Sequence, residues 1–160
     1  MNEPGHILQG ILARASLVIL RVYLGIIFLV AARPKLGGDF APRVTGFLEN
    51  VALEQGYPFY QTFLRGTVLP NVEAFAPLIA GGELLVGIAL VLGLATRFAA
   101  AGALFLLLNY LLAKGALPWQ PSSNDGAFAM ISVALLVGAA GRTLGLDVLL
   151  AERWPRSPLW

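Results

Sequence analysis

The sequence has no cysteine, one histidine and few charged residues, which make up 12% of its 160 positions. The absence of cysteine excludes disulfide bonds, thiol redox chemistry, thiolate metal sites and cysteine-ligated iron–sulfur clusters within this chain. The single histidine, His6, precedes the first apolar segment, so no histidine is available to ligate haem inside a helix bundle. We therefore expect no metal site and no covalently bound cofactor.

Hydrophobic residues make up 58% of the chain, and the mean hydropathy is +0.76. Both values lie far outside ordinary globular composition and predict an integral membrane protein. The net charge is only +2, and the basic residues are scattered, so no nucleic-acid partner is expected. No linker divides the chain, and residues 1–160 form a single membrane domain whose partners are lipids and other membrane proteins.

Four segments are apolar enough to cross a bilayer, which requires about 20 residues per helix. The very short turn at 95–97 makes the second and third spans an antiparallel hairpin, and the fourth span is rather short. These features predict an all-α, polytopic four-helix bundle with both termini on the same side. The predicted spans are 17–36, 74–95, 98–117 and 126–141.

Two further segments are too polar to span but have helical character, and we expect both to lie in the membrane interface. The first covers about 40–70, where apolar residues such as Phe40, Val44 and Leu48 recur at helical spacing. The second covers about 144–154, where Asp147 is placed to act as the N-cap of a short helix.

Charged residues inside membrane spans cost a few kcal/mol or more each, so they usually face the bundle interior and mark function. At about 1.5 Å rise per residue, Glu83 and Asn109 lie roughly 20 Å from the hairpin turn, close to the level of Arg33 and Lys35. Asp125 enters the fourth span at the same end. The candidate polar site comprises Arg21, Arg33, Lys35, Glu83, Asn109, Tyr110 and Asp125.

Two of these candidates, Arg21 and Asp125, differ from the others in their position along the spans. Arg21 lies on the opposite side of the bilayer midplane, although it shares one helical face with Lys35, and that face should point inward. Asp125 follows a Ser-Ser-Asn run directly before a helix, so capping of that helix is a simpler role for it than ligand binding.

The residues alone leave three roles open for a pair formed by Glu83 with Lys35 or Arg33. The pair is a structural clip between helices, or one wall of a pocket for a quinone-like headgroup, or part of a path for protons. A quinone pocket predicts a tapered cavity that ends at Glu83. A structural subunit predicts tightly packed spans without a cavity.

Several short motifs, in order, resemble the DoxX family of bacterial four-helix membrane proteins over about residues 18–150. The first helix carries Arg-x-x-x-Gly and ends in Lys-Leu, and the third carries Asn-Tyr. The pieces that look alike are Arg21, Gly25, Lys35 and Leu36, then Gly81 to Gly87, Gly93 to Arg97, Asn109 with Tyr110, and Gly141 to Asp147.

This resemblance implies a membrane subunit linked to quinone redox chemistry, since family members are associated with thiosulfate:quinone oxidoreductase. It implies an accessory subunit without a complete active site, a catalytic protein partner, and a noncovalently bound quinone. Arg21, Lys35 and Glu83 match the family's charged span positions.

The expected location is the bacterial cytoplasmic membrane, and the distribution of Lys and Arg favours cytoplasmic termini. A structural subunit of a larger respiratory or photosynthetic complex is the alternative function. Proton or solute transport is the third.

Overall fold

The computed structural model describes residues 4–121, 123–138 and 144–153. Within these ranges the chain forms α-helices joined by 3-10 turns, π-helical turns and short loops, and no strand. The all-α class predicted from the sequence is confirmed. In chain order the helices are α1 Pro4–Ala32, α2 Phe40–Phe47, α3 Leu53–Gln55, α4 Pro58–Phe63, α5 Val72–Leu92, α6 Thr96–Lys114, α7 Asp125–Gly138 and α8 Leu146–Arg153.

Four of these helices form the bundle. α1 packs on α5, α5 on α6, α6 on α7, and α7 again on α1. Neighbouring helices run antiparallel, which lets short connections join α5 to α6 and α6 to α7. The centre of the bundle is filled by aliphatic and aromatic side chains that include Leu24, Phe28, Leu90, Leu107 and Leu135.

The outer surface of the bundle is apolar as well. Each of the four helices presents a large aliphatic or aromatic side chain that is about two-thirds exposed or more: Ile19 at 68%, Leu85 at 68%, Phe105 at 66% and Val137 at 76%. Such a surface is stable in lipid and would aggregate in water. Among the described residues, three helical stretches are long and apolar enough to cross a membrane, and α7 is a shorter apolar helix.

The four predicted spans fall on α1, α5, α6 and α7. Helix α1 begins earlier than predicted, at Pro4, and a 3-10 turn at Arg33–Lys35 extends it. Helix α7 has 14 residues, so it is short, as the sequence indicates. The last three residues of the predicted fourth span, 139–141, lie outside the described residues, as does the end of the second interfacial segment at 154.

The segment 40–70 differs from the single interfacial unit predicted. A first part, α2 to α3, ends at the turn Gly56–Tyr57. The second part, from Pro58, continues through a π-helical turn at Leu64–Val68 and a 3-10 turn at Leu69–Asn71 directly into α5. Residues 58–92 are therefore one apolar helical stretch of about 50 Å, longer than the hydrocarbon core of about 30 Å.

The apolar residues that recur at helical spacing in this segment are the ones that it buries against its neighbours. Val44 and Leu48 are buried together with Leu64 and Val68 from the next helical part, and with Ala76 from α5. This second core lies beside the α5 half that precedes Glu83. It fixes the segment that follows Lys35 against the bundle.

Helices α1 and α5 approach each other closely at two glycines. A Cβ atom on Gly25 would lie 2.8 Å from Val91 Cγ2 and 2.9 Å from the Val91 backbone nitrogen. A Cβ atom on Gly87 would lie 2.8 Å from Leu29 Cγ. Small residues that permit such contact are a general means of helix association in lipid.

Substituting Gly25 should separate α1 from α5. We expect Gly25→Ala to lower the free energy of unfolding by about 1–3 kcal/mol, because the added methyl meets backbone atoms that do not move easily. The measurement is unfolding of the detergent-solubilised protein followed by circular dichroism. Gly81→Ala on α5 is the control, since no atom lies within 4 Å of its added Cβ. Equal stability of the two variants would contradict the close packing.

Candidate functional site

Three of the predicted site residues meet inside the bundle. Lys35 Nζ donates to Glu83 Oε1 at 2.5 Å, and the Tyr110 hydroxyl donates to the same oxygen at 2.5 Å. The side chain of Glu83 is 1% exposed and that of Lys35 is 22% exposed. We call Lys35, Glu83 and Tyr110 the acidic cluster. It joins the end of α1 to the middle of α5 and the last third of α6.

Lys35 reaches Glu83 because of the turn that carries it. Pro34 lies in the 3-10 turn, and the Arg43 guanidinium donates to the Pro34 carbonyl oxygen and, at 3.2 Å, to the Asp39 carbonyl oxygen. The Lys35 ammonium lies 5.7 Å from the ring centre of Phe40 and 5.6 Å from that of Tyr110. These distances allow cation–π attraction, so two aromatic rings help to hold the ammonium beside Glu83.

The two carboxylate oxygens of Glu83 differ in the hydrogen bonds that they accept. Oε1 accepts both hydrogen bonds of the cluster, whereas Oε2 is buried and accepts none from the described residues. An ionised carboxylate accepts about four hydrogen bonds, and leaving a buried acceptor without a donor costs about 1–3 kcal/mol or more. Glu83 therefore has free capacity to accept a proton or a hydrogen bond at Oε2.

Two predicted members of the cluster lie elsewhere. Arg33 is exposed, so the predicted alternative of an Arg33–Glu83 pair is wrong. Residues two apart on a 3-10 turn point in different directions, and Lys35 is the one that faces inward. Asn109 accepts a hydrogen bond from the Tyr60 hydroxyl at 2.5 Å and donates to the Phe105 carbonyl. It joins α4 to α6 instead of contacting Glu83.

Asp125 is the first residue of α7, and the hydrogen bonds of its carboxylate go to residues outside the acidic cluster. Its carboxylate accepts from Lys114 Nζ at 2.6 Å and from the Ser123 hydroxyl at 2.9 Å. Within the described chain no backbone amide of α7 donates to it, so the predicted capping role is wrong. The first amide of α7, that of Asp125, donates instead to the Ser123 hydroxyl at 3.3 Å, and the carboxylate pairs with Lys114 at the end of α6.

Arg21 lies at the other end of the bundle, as predicted. It is 1% exposed, and its guanidinium donates to the Leu144 carbonyl oxygen at 2.7 Å. The carboxylate of Asp147 is close enough to act electrostatically on it. A Cβ on Gly93 would overlap the guanidinium, and Gly93 has φ of +65°, which favours glycine. Arg21 therefore does not belong to the acidic cluster.

Asp147 caps a helix other than the one predicted. Residue Ala95 is the N-cap of α6 and has no side-chain acceptor for the first amides of that helix. Asp147 supplies it: the backbone nitrogens of Ala95 and Thr96 donate to its two oxygens at 2.6 and 2.8 Å. The Asp147 amide donates in turn to the Gly93 carbonyl at 2.9 Å. The predicted N-cap role toward α8 is wrong, because Asp147 lies within the first turn of α8 and faces α6.

A surface cleft is lined by residues of α4 and the π-helical turn and does not include the acidic cluster. Its lining residues are Pro58, Gln61, Thr62, Arg65 and Gly66. Within the part of the chain that the structure describes, no three Asp, Glu or His side chains lie close enough to hold a metal ion. The acidic cluster itself brings together a carboxylate, an ammonium and a phenol, which form hydrogen bonds and exchange protons.

Removing the charge of Asp147 should destabilise the fold. Asp147→Asn keeps one acceptor for the α6 amides but removes the negative charge that acts on buried Arg21, and breaking a buried charge interaction costs about 3 kcal/mol. We expect a loss of that size in the free energy of unfolding in detergent. Glu152→Gln, an exposed position on α8, is the control and should change it by less than about 0.5 kcal/mol. The interpretation fails if both variants unfold alike.

The comparison with known proteins agrees with the motifs and the fold. A family model described as DoxX matches residues 16–114, which include α1 from residue 16 onward, all of α5 and α6, and the acidic cluster. Helices α7 and α8 lie outside the matched residues. No curated protein and no solved structure matches the chain. Because the family model covers more than half of the sequence, the chain belongs to the DoxX family of membrane proteins.

Proposed function

We propose that this chain is an accessory membrane subunit of a quinone-linked oxidoreductase and that its acidic cluster binds a quinol headgroup. The observation that carries the proposal is the buried Oε2 atom of Glu83, which accepts no hydrogen bond from the residues that the structure describes. A quinol hydroxyl is a hydrogen-bond donor, and it reaches this depth by partitioning into the bilayer. Family membership supports the link to quinones.

The chemistry of the cluster fits the reduced form of the ligand better than the oxidised form. An ionised carboxylate only accepts hydrogen bonds, and a quinol hydroxyl donates one, whereas a quinone carbonyl only accepts. Tyr110 donates its single O–H to Oε1, and Lys35 uses one of its three N–H groups there, so the feature of the cluster that suits a hydroxyl specifically is the acceptor Oε2. Glu83 would act as a general base for the hydroxyl proton, which a quinol must lose when it is oxidised.

The electrons would pass to a catalytic partner. The chain contains no cysteine and its only histidine is His6, so this chain supplies no usual ligands for an electron-carrying cofactor inside the bundle. The partner would therefore hold the oxidant. In this arrangement the DoxX-family chain binds the quinol, accepts one of its two hydroxyl protons at Glu83 and anchors the partner in the membrane, while the partner takes both electrons and the second proton.

Access to Glu83 would come from the side of Lys35. Lys35 is the more exposed partner of the pair, at 22% against 1% for Glu83, and Phe40 from α2 lies over its ammonium. An arriving headgroup would displace the contact between Phe40 and Lys35 and take a place against the same aromatic rings.

We assign the chain to the bacterial cytoplasmic membrane with both termini in the cytoplasm.

A structural subunit of a larger membrane complex is the second candidate. It is favoured by the tight enclosure of Glu83 and by the position of the cleft, whose lining residues are all on α4 and the following turn. In that function the ion pair and the hydrogen bond of the acidic cluster hold α1, α5 and α6 together.

Glu83→Gln separates the two functions. Gln keeps an acceptor for Lys35 and Tyr110 and places an NH₂ donor where Oε2 was. We expect the dissociation constant of a short-chain benzoquinol to rise about 10- to 100-fold, because a hydrogen bond to a charged group contributes about 1.5–3 kcal/mol. Binding of the oxidised quinone should not weaken, since the new donor suits its carbonyl. The measurement is titration calorimetry of the protein in nanodiscs.

Glu49→Gln is the matched control, because Glu49 is exposed on the π-helical turn after α2. It should bind quinol as the wild type does. If the wild type binds neither form of the ligand, and Glu83→Gln weakens assembly with co-purifying membrane proteins, the structural function replaces the quinol function.

A further inference from the structure

The Phe40 ring lies beside Lys35, on the more exposed side of the acidic cluster. The Lys35 ammonium is 5.7 Å from the centre of this ring and 2.5 Å from Glu83 Oε1. Lys35 is partly exposed, whereas Glu83 is buried. A group that approaches Glu83 past Lys35 therefore meets the Phe40 ring.

A second cation, Arg43, contacts the same ring. Its Cζ atom lies 5.8 Å from the centre of the Phe40 ring. The Arg43 guanidinium also donates to the Pro34 carbonyl oxygen and, from Nε, to the Asp39 carbonyl oxygen at 3.2 Å. Because cation–π attraction and charge-assisted hydrogen bonds act together, Arg43 ties the first turn of α2 to the 3-10 turn that carries Lys35.

The chain between these contacts is loosely packed, whereas the rest of α2 is fixed. Residues 36–39 are all exposed, and a Cβ atom added to Gly37 or Gly38 would have no atom within 4 Å. Val44 and Leu48, further along the segment, are buried in the second core. The connection and the start of α2 can therefore shift while the body of α2 stays packed.

We propose that Phe40 and Arg43 form a gate that controls entry to Glu83 from the Lys35 side. Phe40 is the part that moves, and Arg43 is a positioning residue that holds the ring over Lys35. The identity of the entering ligand rests on the proposed function, in which it is a quinol. The gate itself rests on the contacts among Arg43, Phe40 and Lys35.

Opening the gate breaks surface contacts and leaves the core intact. Phe40 is the first residue of α2, so no preceding helical turn restricts its side-chain rotamers. Rotation of the ring away from Lys35 removes its attraction to the ammonium, while the Lys35–Glu83 ion pair remains. Loss of Arg43 removes its attraction to the ring and its hold on the turn, so the open state becomes more populated.

A purely structural role for Arg43 makes a different prediction. If Arg43 only fastens the connection between α1 and α2, its loss lowers stability and leaves entry to Glu83 unchanged. The test must therefore measure entry.

Labelling of Glu83 by carbodiimides measures entry without a quinol. A carbodiimide adds to a protonated carboxyl and gives a stable adduct, which mass spectrometry locates, and Glu83→Gln identifies its signal. Diisopropylcarbodiimide and the wider dicyclohexylcarbodiimide both enter membranes and need the same protonated carboxyl. The ratio of their labelling rates, compared with the ratio in the wild type, therefore reports the width of the entrance and not the protonation of Glu83.

We expect Arg43→Gln and Phe40→Leu, studied in nanodiscs, each to raise the dicyclohexyl-to-diisopropyl rate ratio about five- to tenfold, because each removes an attraction that keeps the gate closed. Phe40→Tyr keeps an aromatic ring, so its ratio should stay within about twofold of the wild type. Arg33→Gln is the matched control, since Arg33 is an exposed arginine on the same 3-10 turn. Its ratio should equal that of the wild type.

Three results refute the gate. The first is a wild-type ratio in both Arg43→Gln and Phe40→Leu, and the second is an equal rise in Arg33→Gln and Arg43→Gln. The third is that neither reagent labels Glu83 in any variant. If Arg43→Gln does not fold, the comparison of Phe40→Leu with Phe40→Tyr decides, since both keep an apolar side chain in place and only one keeps the ring.

Quinol binding, measured on the same samples, tests the proposed function separately. A wild type that binds no quinol, together with a raised labelling ratio in the gate variants, refutes the quinol function and retains the gate. Normal quinol binding with an unchanged labelling ratio refutes the gate and retains the quinol function.

Discussion

The structure depends on the cost of holding one carboxylate in the middle of a membrane helix. A charge in the hydrocarbon region costs a few kcal/mol or more unless other groups compensate it. Glu83 obtains that compensation from Lys35 and Tyr110, which come from two different helices. Three further features hold Lys35 beside Glu83. They are the 3-10 turn that ends α1, the Arg43 contact that holds this turn, and the Phe40 ring over Lys35.

The opposite end of the bundle also holds a buried charge, but different groups compensate it. There the buried charge is the Arg21 cation, and the compensating groups belong to the segment that follows α7. Asp147 offsets that charge and caps α6 at the same time. Among the described residues, therefore, Glu83 Oε2 at one end of the bundle has no donor, while at the other end both Asp147 oxygens accept backbone hydrogen bonds. This asymmetry is why we place ligand chemistry at Glu83.

The sequence predicts the bundle and a basic partner for Glu83 at the end of the first span, because both follow from simple rules. Long apolar runs define the spans, and charges at similar depth in apolar helices must meet. The sequence does not distinguish Lys35 from Arg33, since that choice depends on a 3-10 turn of three residues. Asn109 and Tyr110 are neighbours in sequence but point about 100° apart on a helix, so only one of them reaches Glu83.

Other features depend on distant parts of the chain. Asp147 looks like a local cap, but its partners are 51 and 52 residues away and belong to another helix. Phe40 is visible in the sequence as part of an apolar face, yet its place over Lys35 depends on the turn between them. The continuity of residues 58–92 is hidden by Gln61, Arg65 and Asn71, which lower the apparent hydropathy of its first third.

The contact of Arg21 with Leu144 also has a consequence for biosynthesis. The two residues are separated by 123 positions, so the first span leaves the ribosome long before its partner is made. Until α8 arrives, a guanidinium in the first span has neither the Leu144 carbonyl nor the Asp147 charge beside it. The contact between the first span and the segment before α8 therefore forms only after nearly the whole chain has been made.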